Sequence, residues 1–562
     1  MSIFGSILPN RPGKNSFNLS HERKFSLDFA NITPIFCQET VPGDYFRVNS
    51  EVFLRFAPLL APIMHRVDVY VHYFFVPNRL VMPDWDKFIT GGENGDYEGT
   101  PPFKSLVYKY GSPPSNAIPL GPNQEHYLEL GSLSDYLGLP VFNRGYLKTT
   151  TDKGILDVCM LPFLAYQLIY NEYYRDQNLV PEVRIDYQSP DFTNVQWSQL
   201  LSLRRRAWEK DYFTSALPWP QKGAPVTVPI GSDAPVYYDN PQNNFGIIRD
   251  TEGVIQPGTT NLLTGQSIYG ENDKALSMQW GDPSNPYQAN SAYDPNGTLK
   301  TDLSQATSAT INDLRTAFQI QRWLERNARG GSRYIESIFS HFGIKVPDYR
   351  LQRPEYLGGG RQPVVISEVL QTSQTTLGEN GSPQATMAGH ALSSGTQNRF
   401  KRKFLEHGYV FGLMSVLPRT SYQQGLPRSF SRKDRFDYYW PTLAHLGEQE
   451  ILNQEIYYGY SPGSEAHLNG STFGYQSRYA EYKYVPSSVH GDFRDTLKFW
   501  HMGRIFSNRP NLNSQFITAD PTHRIFAVED TDFQPLWCQL YNNFIAVRPM
   551  PRFSEPGLID HY

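Results

Sequence analysis

The sequence predicts a mainly β chain: a single jelly roll with long loop insertions and a few helices. Three observations predict it. Period-two hydrophobic patterning marks strands near both ends of the chain with turn-rich excursions between, and in a jelly roll the first and last strands meet in one sheet. The 562 residues include 43 Gly, 43 Pro, 36 Tyr, 34 Phe and 9 Trp, a composition that favours aromatic-rich strands and turns over coiled or disordered chain. No period of about 20 to 50 residues recurs, which argues against a solenoid or propeller.

In chain order, the expected organisation is an N-terminal arm (1–38), a first part of the jelly roll with excursions (39–217), a surface insertion (218–300), and the remainder of the roll with helices and a C-terminal strand (301–562). The arm is weakly basic, with Arg11, Lys14, Arg23 and Lys24 set against Glu22 and Asp28. Pro42-Gly43-Asp44 is a turn signal, and Phe46 to Phe56 alternates until Pro58 and Pro62 end it, because proline cannot donate to a sheet ladder. Next, Val67, Val69, Val71, Tyr73 and Phe75 share one face, while Arg66, Asp68, Tyr70, His72 and Phe74 share the other, which predicts a half-buried strand. A register slip of one residue would put Arg66 and Asp68 in the core.

Residues 90–126 read as a surface excursion. Helical patterning returns around Leu128 to Leu137 and from Pro162 to Tyr174, and Arg204 to Arg206 read as solvated or interfacial cations spread around a short helix. In residues 218–300 Gly, Pro, Asn and Asp recur, yet Tyr269, Trp280, Tyr287 and Tyr293 are too aromatic for a linker, so the segment reads as an insertion projecting from the scaffold. A helix opens at Thr310 to Asp313 and stops at Gly330-Gly331. Gly358 to Gly360 read as a tight turn, residues 371–397 as loop or extended strap, Arg399 to Pro418 as strand, and Phe544 to Val547 as a last strand.

Net charge is −4, so no global basic field of the duplex-binding kind is present, and any nucleic-acid contact is local. Basic and aromatic residues interleave in Asn398 to Lys403, where Arg399, Lys401, Arg402 and Lys403 flank Phe400, and again in Arg428 to Arg435. That pattern suits a single nucleic-acid strand, with phosphates on the cations and bases stacked on rings; exposed faces or inter-subunit ion pairs fit it equally. Arg11, Lys14, Arg23, Lys24, Arg399, Lys401, Arg402 and Lys403 are therefore the candidate DNA contacts. Cys37, Cys159 and Cys538 fit neither a disulfide framework nor a zinc site, and a reducing compartment is expected. No signal-peptide layout and no apolar run of about 18 residues occurs, so a membrane partner is not expected.

Catalytic patterns fail on inspection. Gly459-Tyr460-Ser461-Pro462-Gly463 fits G-x-S-x-G, but the residue after the nucleophile must donate an oxyanion-hole N–H, and Pro462 has none. The 13 histidines form no H-E-x-x-H, and His65, His72, His407 and His490 read as structural. No cofactor or metal is expected. The alternative function is an aromatic-rich β-sandwich that binds or cleaves polysaccharide, with Glu448, Glu450 and Glu455 as acids on a helical face.

Several blocks carry a family resemblance: ETVPGD, RFAPLLAPI and FFVPNRL within Glu39 to Leu80, DYFTSALPWPQKG, HFGIKVPDYRLQRPEYLGGG and RYAEYKYVPSSVHGDFRDTLKFW. In these blocks, spread along the chain in the family's order, the sequence resembles the major capsid protein of the microviruses, small single-stranded DNA bacteriophages, nearer their gokushovirus-like branch. The resemblance implies an eight-stranded antiparallel viral jelly roll that self-assembles into a T=1 icosahedral shell around circular single-stranded DNA. It also implies a virion protein made in the host bacterial cytoplasm and partnered by other virion proteins. The 218–300 insertion then forms a protrusion, at the threefold axes in gokushoviruses, available to a host surface receptor.

Overall fold

The computed structural model describes residues 13–94, 96–109, 130–141, 153–224, 226, 236–238, 268–269, 275–276, 299–301, 311–331, 333–370, 372, 387–460, 466–528 and 534–553. Antiparallel strands dominate. The N-terminal third supplies β1 (Asn15–Asn18), β2 (His21–Leu27), β3 (Thr33–Thr40), β4 (Tyr45–Phe56), β5 (Val67–Pro77), β6 (Phe103–Lys109) and β7 (Lys153–Cys159). Four short strands follow: β8 (Val236–Tyr238), β9 (Ile268–Tyr269), β10 (Ala275–Leu276) and β11 (Leu299–Thr301). The rest are β12 (Glu355–Pro363), β13 (Val365–Leu370), β14 (Met387–Lys403), β15 (Gly408–Pro418), β16 (Glu448–Leu452), β17 (Thr472–Ser477) and β18 (Leu536–Arg548). Helices are few and mostly short: α1 (Trp85–Thr90), α2 (Leu133–Leu137), α3 (Leu161–Ile169), α4 (Asn194–Leu201), α5 (Ile311–Gly330), α6 (Tyr334–Phe342), α7 (Asn453–Ile456) and α8 (Ser514–Ile517).

Two compact units divide the chain, one of Met1–Lys222 with Glu325–Tyr562 and one of Gly223–Leu324. In the smaller unit β8 pairs with β11 and β9 with β10. The larger unit holds two main sheets. A six-stranded sheet runs β1-β18-β4-β14-β13, with β2 also on β18, and a four-stranded sheet runs β12-β5-β15-β3. The C-terminal β18 thus lies between the N-terminal strands and β4, with Ile545 opposite Asn18 and Phe544 opposite Val48.

Alternation explains why β4 takes this place. Phe46, Val48, Val52, Leu54 and Phe56 turn inward and are buried, while Tyr45, Arg47, Glu51, Phe53 and Arg55 turn outward. One core cluster joins these inward residues to Leu540 and Phe544 of β18 and to Val69, Val71, Tyr73 and Phe75 of β5. The two sheets therefore enclose a common core, and each large apolar side chain in it contributes roughly 1.5–3 kcal/mol.

The β5 strand departs from expectation, being buried on both faces. Its second face lies under a further layer, in which Phe74 and Val76 pack with Phe411 and Leu413 of β15 and with Phe163, Leu164 and Tyr166 of α3. Asp68, Tyr70 and His72 are accommodated there by ion pairs and hydrogen bonds, so polar spacing on that face does not signal solvent. Gly358 to Gly360 also differ from the predicted tight turn: they lie inside β12 at a bulge, with Gly358 at φ 146° and Gly359 against β5. The helix around Pro162 to Tyr174 forms as α3 and continues as a π turn over Tyr170–Tyr174. α5 stops as expected, with Gly331 at φ 96°, whereas its Thr310 start, like most of residues 218–300 and of 371–397, lies outside the described residues.

Candidate nucleic-acid interface

Strand alternation decides where each candidate cation goes. On β14, Phe400 is buried opposite Val48, which sends Arg399, Lys401 and Lys403 to the outer face of the six-stranded sheet, opposite Asn49, Arg47 and Tyr45. Arg402 takes the opposite parity, and its Nη2 donates to Glu355 Oε2 of β12 at 2.7 Å. The same rule separates the β2 pair. Lys24 faces outward opposite Gln539, 3.6 Å from Glu22, while Arg23 pairs with buried Leu540 and donates to the Tyr136 carbonyl at 2.5 Å. Burial lowers the Arg23 pKa, with Cys37 and Asp135 opposing that shift. Lys14 donates to the Gly43 carbonyl at 3.1 Å, and Arg11 lies outside the described residues.

The structure adds members that no contiguous run in the sequence announces. Arg47 and Arg55 of β4 lie on the same outer face, with the exposed rings of Tyr45, Phe53, Trp537 and Tyr541. Arg55 sits 5.5 Å from the Phe53 ring centroid. The face thus gathers Lys24, Arg47, Arg55, Arg399, Lys401 and Lys403 around four aromatic rings, against the carboxylates Glu22 and Glu51. Arg47 directly opposite Lys401 is a like-charge cross-strand pair, an arrangement that costs stability unless an anion lies over it. The signal was available in the i, i+2 spacing of Arg47, Glu51, Phe53 and Arg55 once β4 was assigned a buried face.

Other candidates resolve into structural roles. Arg204 to Arg206 follow α4 in extended chain rather than on a helix: Arg204 Nε donates to Gln167 Oε1 at 2.9 Å, Arg205 pairs with Asp28 and Asp520, and Arg206 donates to Ser415 Oγ at 3.1 Å. Glu448 and Glu450 lie on β16, not on a helical face, and Glu448 is ion-paired with Arg329. Glu455 on α7 is buried, accepting from Tyr212 at 2.8 Å and Arg428 at 3.0 Å; burial raises its pKa and Arg428 opposes that. Ser461 to Gly463 of the G-x-S-x-G pattern lie outside the described residues. Among the described residues no cluster of metal-ligating side chains occurs, and no helix is long and apolar enough to cross a membrane.

A two-sheet β scaffold with a shared aromatic core and a basic, aromatic sheet face defines a structural protein that works through its surfaces. Comparison with known proteins gives the family. Residues 7–558 match the family described as capsid protein (F protein). The chain is 38% identical to capsid protein VP1 of Bdellovibrio phage phiMH2K, covering 100% of this chain and 98% of the relative. It is 38% identical to capsid protein VP1 of Chlamydia phage 1 (97% and 96% covered) and 32% identical to capsid protein VP1 of Spiroplasma virus 4 (99% and 97% covered). The chain belongs to this family of microvirus capsid proteins, a structural component of the virion and not an enzyme.

Proposed function

We propose that this capsid protein is the repeating unit of a small T=1 icosahedral shell around circular single-stranded DNA, built on an eight-stranded jelly roll. The observation that carries the fold reading is strand order. Taken in sequence, β2, β3, β4, β5, β12, β14, β15 and β18 distribute as β2-β18-β4-β14 in one sheet and β12-β5-β15-β3 in the other, the double Greek-key arrangement of a jelly roll. Subunit contacts repeated by symmetry hold such a shell together. The basic, aromatic face of the six-stranded sheet supports genome contact through Lys24, Arg399, Lys401 and Lys403, with Arg47 and Arg55 beside them. Arg11 and Lys14 belong to the same reading through the N-terminal arm, whereas Arg23 and Arg402 turn to the opposite face and are held by the Tyr136 carbonyl and Glu355. Residues 218–300 project as a protrusion toward a host receptor, a reading that the separate compact unit Gly223–Leu324 supports. Other virion proteins complete the particle.

Electron microscopy of the purified, concentrated protein tests the shell: closed particles are expected, and persistent monomers under all assembly conditions overturn it. Replacing Arg399, Lys401 and Lys403 with Gln tests the genome face. Empty shells with reduced DNA are expected, and unchanged packaging counts against it. Deleting residues 218–300 is expected to leave a soluble, sheet-rich product that no longer attaches to host cells, and an insoluble, sheet-poor product refutes the protrusion.

A further inference from the structure

Apart from that sheet face, a cleft of about 640 Å³ opens beside α8, lined by Arg504, Arg509, Arg524, Trp208, Phe506 and Asn511 among others. Among the described residues Asp520 is the only carboxylate lining it, and Asp520 is paired with Arg205. Among the described residues neither Arg504 nor Arg524 forms an ion pair. Arg524 is satisfied by neutral acceptors, donating to the carbonyls of Lys498 at 2.7 Å and of His501 and Gly503 at 2.9 Å each, with the His501 Nδ1 at 3.3 Å. Arg504 donates to the Phe516 carbonyl at 2.9 Å, and its guanidinium carbon lies 4.1 Å from the Phe516, 5.1 Å from the Phe506 and 5.2 Å from the Trp208 ring centroid. Arg504 also hydrogen-bonds the Tyr422 hydroxyl, which together with Thr420 engages Asp211, the carboxylate that acts on Arg504 from farther off.

Two donors in the cleft walls, Arg504 Nη1 and Trp208 Nε1, are buried without a hydrogen-bond partner. Partly buried cations without a paired carboxylate and buried donors without acceptors each cost stability, and both costs fall if an anionic acceptor enters. The cleft is also lined by Asn508, Asn511, Asn513 and Gln515, neutral amides that match the mixed donor and acceptor edges of a nucleobase.

We infer that this cleft binds a nucleotide of single-stranded DNA, with its phosphate between Arg504 and Arg524 and its base against the amide-lined wall beside Phe506. The inference rests on the reading that the shell encloses single-stranded DNA, and it adds a site separate from the six-stranded sheet. The volume exceeds that needed for a lone carboxylate, and rings beside guanidinium groups are the usual platform for a single strand.

The test uses the full-length protein and short oligothymidylates bearing 5-iododeoxyuridine. Ultraviolet cross-linking followed by peptide mapping is expected to place adducts on Phe506 or Trp208. In fluorescence anisotropy, Arg504→Lys, which keeps the charge and loses the planar fork, and Arg524→Gln are each expected to bind oligothymidylate about tenfold more weakly. Adducts confined to the outer face around Phe53, Trp537 and Tyr541 overturn the cleft while leaving the genome reading in place. An equal displacement of the oligonucleotide by oligoglutamate also overturns it, since a carboxylate site needs no base. Particles that contain no DNA, with no adducts anywhere, overturn the genome reading itself.

Discussion

Asp68 accepts from Arg361 Nη2 at 2.6 Å across the β5–β12 pair, with Asp68 only 1% exposed. Arg66 at 3.3 Å and Arg419 at 3.6 Å complete a three-cation surround, and Arg419 reaches on to Glu209. This network closes the start of β5, where a charge would otherwise be stranded. Asp68→Asn is expected to destabilise the unassembled protein by about 2 kcal/mol, less than a fully buried pair would cost because the arginine partners are a third or more exposed. Arg361→Met is expected to cost less than Asp68→Asn, because Asp68 keeps two other cations. Urea unfolding of the two variants checks the order, and a reversed order removes the network argument.

Two histidines make the fold sensitive to acid. His65 Nε2 donates to the Arg419 carbonyl at 2.7 Å, and His72 Nδ1 is hydrogen-bonded to the Tyr174 hydroxyl at 2.9 Å. Burial, first among the causes, lowers each pKa to about 4. The unfolded chain therefore takes up these protons at a higher pH than the folded one. Stability from this source is complete above the ordinary histidine value and is lost as pH falls from about 6.5 to about 4, by on the order of 3 kcal/mol for each group. Unfolding free energies measured across that window should fall more steeply for the native protein than for His65→Gln with His72→Gln. Identical slopes would sink the assignment.

His523 carries the opposite sign. Its Nε2 lies 2.6 Å from Asp28 Oδ1, and that hydrogen bond, ahead of the opposing burial and of Arg205, raises its pKa. The contribution is present in full below the unfolded histidine value and disappears as pH rises through the raised folded value. His523→Gln should therefore cost stability at pH 5.5 and progressively less toward pH 8, the reverse of the trend for His65 and His72. A constant cost across that range would show that packing against Phe29 and Phe526, not charge, is what His523 supplies.

How far the sequence reached is visible in two adjacent strands. β4 was legible because one face meets the core and the other meets solvent, so its alternation reads directly as burial. β5 has the same period, but its second face lies under α3 and its neighbours, and nothing local distinguishes a polar residue facing water from one facing a distant arginine. The candidate surface divides likewise. Arg399 and Lys401 were found as members of a run, but that run also drew in Arg402, which strand parity sends to Glu355. Arg47 and Arg55 were missed because strand pairing, not sequence proximity, brings them beside β14.

The Gly359 position tests how tightly that pairing is built. A Cβ there would lie 2.2 Å from the Val71 carbonyl oxygen and 3.0 Å from the His72 Cα, and both are backbone atoms of β5. Strand β5 is held between β12 and β15 and buried on both faces, so it has no direction in which to yield. Gly359→Ala is expected to cost about 3 kcal/mol or more, at the upper end of overpacking, and to lower soluble yield. Gly470→Ala, where nothing lies within 4 Å of the added carbon, is expected to stay within about 0.5 kcal/mol of the parent. Thermal unfolding of the pair checks the contrast, and an unperturbed Gly359→Ala would mean that β12 is free to move away from the central sheet.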